Sequence, residues 1–272
     1  MPDSVVLRGL TIEVGDRRLV DEVGLQVHSG QVVGLVGSSG SGKTLTARAL
    51  LGLVDLEPGV VRADLRVQWE GQRFHPYEGR PRTRRERAKA FASLRGDVLG
   101  YLPQDAPRTL DPLSTVAAQL ARVARLGRAP DRALGAWLQA GGFTPTHAEE
   151  VLPLYPHELS GGMGQRVAIA LALARGSRFL IVDEPTTGLD APVQHRLLQH
   201  LRALAHDGLG VVVVTHDLRW LGEVADAVVV LDQGRRVEAL TSEALTSGEA
   251  DSGAARRLLD AVRRLQSPGF PS

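Results

Sequence analysis

The sequence predicts an α/β fold with a mostly parallel core sheet, an N-terminal antiparallel β subdomain and an inserted helical subdomain. Three observations carry this expectation. "FLIV", "GVVVV" and "AVVVL", in the last third of the chain, are continuous aliphatic runs of the kind found in strands buried on both faces of a sheet. Helical segments such as residues 193–206 alternate with them, which implies parallel strands joined by helical crossovers. Near the N-terminus, "VVLRGLTIEV" and "VRADLRVQW" instead alternate apolar and polar residues, as half-exposed strands do.

The remaining elements follow in chain order. "QVVGLVG" is a compact apolar strand that ends in glycine, and a helix is expected after it at about 43–53. Residues 76–95 are polar and Arg-rich, and "GRPRTRRERAK" reads as the solvated face of a connecting segment. Residues 113–140 have helical spacing. The helical subdomain is expected at about 105–165, inside a domain that runs from 1 to 245. Residues 246–272, with "AARRLLDAVRRL", read as an amphipathic helix and a frayed tail.

Composition narrows the function. The chain has 272 residues, is 43% apolar and carries a net charge of +1, so it has a globular core and no bulk charge that favours nucleic acid. Its lack of cysteine excludes disulfides and thiolate metal sites and fits a reducing compartment. "MPDSVVLRGLTIEV" lacks the basic start and apolar run of a signal peptide. The longest clean apolar runs, such as 167–174, are far short of the roughly 18 residues that span a bilayer. Any membrane role is therefore expected to pass through a partner.

"GSSGSGKT" matches G-x-x-x-x-G-K-[ST] at each fixed position, between an apolar strand and a helix. Successive N–H groups of Gly37, Ser38, Ser39, Gly40, Ser41 and Gly42 are expected to wrap the phosphates of a nucleotide. Lys43 supplies a compact point charge at the γ-phosphate and Thr44 a hydroxyl ligand to Mg²⁺. Lysine is rare here: of 32 basic residues only Lys43 and Lys89 are lysines. "FLIVDEP" is a buried strand that ends in two acids, at the end where open α/β sheets bind ligands. Asp183 suits the Mg²⁺ shell, and Glu184 suits the general base that activates a water. "GVVVVTHD" places His216 at the end of a strand expected beside that of Asp183, within reach of the γ-phosphate. The other histidines show no metal-ligand spacing. "HELSGGMGQRV" sets Ser160, Gly161 and Gly162 before an apolar helix. Ser160 is expected as its N-cap, with the glycine N–H groups free for an anion.

Taken together, these pieces resemble the nucleotide-binding subunit of ABC transporters, a P-loop NTPase fold. The resemblance rests on Walker A at 37–44, the Q-loop at Gln104, the signature at 159–163, Walker B at 179–184, the D-loop ending at Asp190, and the switch His216. "LRGDVLGYLPQDAPRTLDPLSTV", "YPHELSGGMGQRVAIALALA" and "VDEPTTGLDAPVQ" are similar to the oligopeptide, dipeptide and nickel importer branch. That implies an ATPase using ATP and Mg²⁺ at the cytoplasmic face of the inner membrane. Its implied partners are a second ATPase subunit, two permeases and an extracytoplasmic solute-binding protein. The resemblance also implies catalytic roles for Gln104, Glu184 and His216, with Gln104 touching the metal. Asp190 and the signature would meet ATP held by a head-to-tail partner.

Three departures stand out. Val14 occupies the place of the aromatic that stacks on adenine, leaving Arg17 or Arg18 to cover the ring. Gly164 stands where the branch has arginine. "SGAARRLLDAV" replaces a "HPYT"-type element. The alternative function is an ATPase partner of a soluble enzyme complex of the phosphonate-degrading type. DNA-repair and translation-factor relatives are disfavoured by the lack of coiled coils, cysteine modules and a second cassette.

Overall fold

A computed structural model describes residues 2–79, 83–127, 131–187, 189–216, 221–247, 250–253 and 255–256. Among them ten strands form one sheet in the order β5-β4-β1-β2-β10-β9-β3-β8-β7-β6. One wing is antiparallel: β1 (Ser4–Val14), β2 (Arg17–His28), β4 (Pro58–Trp69) and the short β5 (Gln72–Phe74). The other wing is the parallel array of β3 (Val32–Gly37), β6 (Leu99–Leu102), β7 (Phe179–Asp183), β8 (Gly210–Thr215) and β9 (Ala227–Asp232). β10 (Arg235–Thr241) runs antiparallel to β9 and touches β2. The aliphatic runs are thus parallel strands, and β3, β7 and β8 are buried along their whole length.

The helices differ in detail from the sequence expectation. α1 (Lys43–Leu50) stops three residues before Leu53. Gly52 takes φ +63° and donates to the Ala49 carbonyl, while the Leu53 N–H donates to that of Arg48. This Schellman ending closes the helix as soon as a glycine reaches C′. The Arg-rich segment is not all solvated connector: Thr83 and Glu86 form a reciprocal capping box at the head of α2 (Arg84–Ala90). Arg87 of α2 is buried and lies 3.5 Å from Asp55. Residues 113–140 divide into α3 (Val116–Ala124), capped by Thr115, and α4 (Leu134–Ala140). α5 (Pro145–Val151) follows, then α6 (Gly161–Arg175). α7 (Ala191–His206) starts two residues earlier than expected, because Asp190 caps it. The short α8 (Leu221–Val224) and α9 (Ser242–Ser247) complete the order. Most of "AARRLLDAVRRL" and the tail lies outside the described residues.

α6 joins two cores. Ile169 and Ala168 pack in the cluster under the parallel sheet with Leu180, Val182, Leu197, Leu201 and Val213. Val167, Ala170 and Ala174 pack in a separate cluster with Leu120, Trp137, Leu138, Phe143 and Val151 of α3 to α5. Burying an aliphatic side chain of this size contributes about 1.5–3 kcal/mol. α6 therefore couples the helical lobe to the sheet through its own apolar faces.

Gly164, the departure from the branch pattern, has a packing reason. It is buried in the first turn of α6, and a Cβ there would sit 2.9 Å from Cβ of Pro107. Pro107 belongs to the 3-10 turn Ala106–Thr109 that follows Gln104. The glycine lets that turn lie directly on α6. Replacing glycine by alanine inside a helix ordinarily gains about 1 kcal/mol. Here Gly164→Ala is expected to lose that gain, and Gly164→Arg to cost about 1–3 kcal/mol by overpacking. Urea unfolding of the three chains measures this. A clear stability gain in Gly164→Ala would contradict the close packing.

Candidate functional site

The phosphate-type loop hangs between β3 and α1. β3 lies between β8 and β9, so its C-terminal end opens where the parallel strands stop. Gly37 admits no side chain, since a Cβ would lie 2.2 Å from the Leu231 carbonyl oxygen. Gly42 caps α1 at φ +93°, and its would-be Cβ meets Val20 of β2 at 2.9 Å. The β1–β2 hairpin therefore leans over the loop. Gly40, at φ +78°, faces open space. Lys43 is buried, and its ammonium donates to the carbonyls of Gly37 (3.0 Å) and Ser38 (2.9 Å). Burial pulls its pKa down, opposed by Glu184 and Asp183. Ser41 Oγ is buried without a hydrogen-bond partner.

The next two strands bring the acids. β7 pairs with β8 on one side and β6 on the other. Asp183 is 1% exposed. Its Oδ1 accepts from Thr44 Oγ1 at 3.2 Å and its Oδ2 from the Tyr101 hydroxyl at 3.0 Å. Burial pushes the Asp183 carboxyl up, and the two hydroxyl donors pull it back. Tyr101 is pushed to about 12 by burial and then by Asp183, so it remains a donor at neutral pH. Sequence reading missed Tyr101. Its signal is a phenol in the apolar strand "LGYL", because a buried tyrosine hydroxyl needs a partner.

Glu184 follows at φ +47°, a left-handed conformation unfavourable for a residue with a side chain. Its N–H donates to the Val214 carbonyl at 2.8 Å, which ties the turn to β8. Oε2 accepts from Gln104 Nε2 at 2.9 Å and from Thr187 Oγ1 at 3.3 Å, and Oε1 lies 3.3 Å from His216 Nδ1. Gln104, Glu184 and His216, from the ends of β6, β7 and β8, thus meet as the sequence implied. Gln104 contacts the acid and not Asp183 or Thr44.

The hairpin and the signature complete the picture. Val14 pairs with Arg17 across the β1–β2 turn. Arg18 is held by Glu13 at 3.2 Å and Asp21 at 2.8 Å, whereas Arg17 is exposed and its side chain has no hydrogen bond or ion pair among the described residues. Ser160 caps α6, its Oγ accepting from the Met163 N–H at 3.3 Å. Ser160 and Gly161 are exposed, and no hydrogen bond joins Ser160, Gly161 or Gly162 to the loop of Lys43 among the described residues. Asp190 accepts from the Val193 N–H at 2.8 Å. Gly188 lies outside the described residues. No group of three or more His, Asp or Glu side chains able to hold a metal occurs among the described residues.

Comparison with known proteins reports the same organisation. Residues 20–187 match the family model described as "ABC transporter". The chain is 35% identical over 240 residues to the dipeptide transport ATP-binding protein DppD of Escherichia coli, covering 84% of this chain and 69% of that one. It is 37% identical over 265 residues to the nickel import ATP-binding protein NikD of Pseudomonas putida, covering 96% of both. Among solved structures, the post-hydrolysis dimer of the ATP-binding cassette MJ0796 bound to ADP and Pi aligns with TM-score 0.66 and 25% identity. That alignment covers 88% of this chain and 98% of that one. With the loop, the strand-end acids and the capped signature helix in this arrangement, the chain belongs to the ABC transporter family.

Proposed function

We propose that this chain is the ATP-hydrolysing subunit of an importer for peptides, nickel or a metal chelate. The observation that carries the reading is the strand-end cluster in which Gln104 and His216 both hold Glu184, beside an Asp183 that already meets Thr44. The 37% identity to a nickel import ATP-binding protein and 35% to a dipeptide one support the solute class. Among the described residues no helix is long and apolar enough to cross a membrane. With those relatives as its support, the reading includes two permease partners, a solute-binding protein and a second ATPase subunit, with this chain peripheral at the cytoplasmic face.

The residues fit ATP and Mg²⁺. A buried ammonium satisfied only by carbonyls, a buried carboxylate satisfied only by hydroxyls and an unpartnered Ser41 hydroxyl surround one loop. Backbone N–H groups of residues 37–44 and Lys43 would bind the phosphates. Thr44 and Asp183, with Gln104, would hold the ion, which neutralises developing charge on the phosphates. Glu184 would orient and deprotonate the attacking water, and His216 would hold Glu184 and meet the γ-phosphate. Val14, flanked by Arg17, would line the adenine. Ser160, Gly161, Gly162 and Asp190 would act on nucleotide bound by the partner subunit.

Co-purification of the native complex tests the function: membrane permeases in it support transport, and soluble enzyme subunits would sink it. Glu184→Gln should keep ATP binding, lose turnover by about 10²-fold or more and accumulate a closed dimer; unchanged turnover would remove Glu184 from its role. Ser160→Arg should abolish turnover while the isolated subunit binds ATP as before, and loss of binding by the monomer would contradict action in trans. Tyr101→Phe should weaken Mn²⁺ binding to the ATP-loaded chain about tenfold, read by electron paramagnetic resonance. Unchanged Mn²⁺ affinity would show that the Tyr101 hydroxyl does not position Asp183.

A further inference from the structure

A second cavity, of about 480 Å³, lies between the first turns of α6 and α7. Its polar lining has one sign. Arg166 and Gln165 come from α6, Arg196 and His200 from α7, and no aspartate or glutamate is among the lining residues. Leu189 and Val193 supply an apolar wall. The lining includes none of residues 37–44, Gln104, Asp183, Glu184 or His216, so the cavity is separate from the phosphate loop.

Three of the four polar groups there have unused capacity. Arg166 is clamped: Nε donates to the Gly162 carbonyl at 3.2 Å, Nη1 to that of Gly142 at 3.3 Å, and the guanidinium lies 4.4 Å over the Phe143 ring. Its Nη2 makes no hydrogen bond among the described residues. Arg196 is exposed and its side chain has no hydrogen bond or ion pair among the described residues. Gln165 is 5% exposed, and its Nε2 is buried with no partner. An unsatisfied buried donor is unfavourable until a ligand accepts from it. Burial and then the charge of Arg196 push the Arg166 pKa down, so the two guanidiniums repel each other. His200 is spent on the Ala140 carbonyl, 2.9 Å away.

We propose that this cavity binds a small organic acid, with its carboxylate between Arg166, Arg196 and Gln165 and an apolar body against Leu189 and Val193. Arg166 is a pre-oriented platform, and a carboxylate matches the planar donor fork of a guanidinium. It would screen the Arg166–Arg196 repulsion and accept from Gln165. The volume is that of an ordinary small-molecule site. Such a ligand bridges the turn that carries Gly162 and the turn that follows Asp190, and so fixes the relative placement of two segments assigned to the partner's nucleotide.

The test uses 4-(trifluoromethyl)benzoate as probe and ¹⁹F NMR titration of the full chain, with the phosphate loop saturated by Mg-ADP. Saturable binding is expected, weakened about tenfold or more in Arg196→Glu, as loss of a charge-assisted contact requires. Arg196 is exposed, so the melting temperature and the Mg-ADP affinity of that variant should match the parent. Absence of saturable binding, equal affinity in Arg196→Glu, or displacement of the probe by ADP would each overturn the proposal.

Discussion

The site depends on opposite charges that are buried close together without touching. Lys43 is satisfied by two carbonyls, and Asp183 by the hydroxyls of Thr44 and Tyr101. No ion pair joins Lys43 to Asp183 or Glu184 among the described residues. Breaking up a buried ion pair in this way is costly unless each charge has neutral partners. The parallel sheet makes it possible. β3, β6, β7 and β8 end side by side, and their ends deliver polar groups into the same opening. Glu184, held in a left-handed turn by Gln104, Thr187 and His216, faces the same opening.

Much of this was legible in the sequence. The aliphatic runs show a parallel sheet because strands covered on both faces have no polar side. The glycine loop, the acids at the end of "FLIVD" and the histidine after "GVVVV" are local features that their own neighbours make intelligible. What escaped was long-range. Tyr101 matters only because β6 lies beside β7, and nothing within "GYLPQD" says so. Gly164 stood out only as a departure from arginine, and its reason is Pro107, more than fifty residues earlier. Arg87 read as solvent-facing because the pairing with Asp55 depends on where α2 folds back. The early end of α1 was readable in principle from Gly52, but an apolar run of leucines outweighed one glycine.

The signature segment opens a different question: a helix start with Ser160 as cap, exposed and without a hydrogen bond to the loop of Lys43 among the described residues. The cap satisfies one donor of the first turn and leaves the others pointing outward. On the proposed reading, a chain with a phosphate loop and a signature segment that makes no hydrogen bond to it among the described residues would be completed by a second subunit. α6, shared between the two cores, ties the signature segment rigidly to the sheet that carries the loop. On the proposed reading, hydrolysis at such an interface would be felt by both subunits.

That the two halves work only across a pair is the central claim, and dilution tests it most directly. The purified ATPase pair is diluted through its dissociation at saturating Mg-ATP, with association followed by mass photometry and bound nucleotide by equilibrium dialysis. Turnover per chain should fall in step with dissociation while each chain still binds one nucleotide. Turnover per chain that stays constant as the pair comes apart would contradict the account.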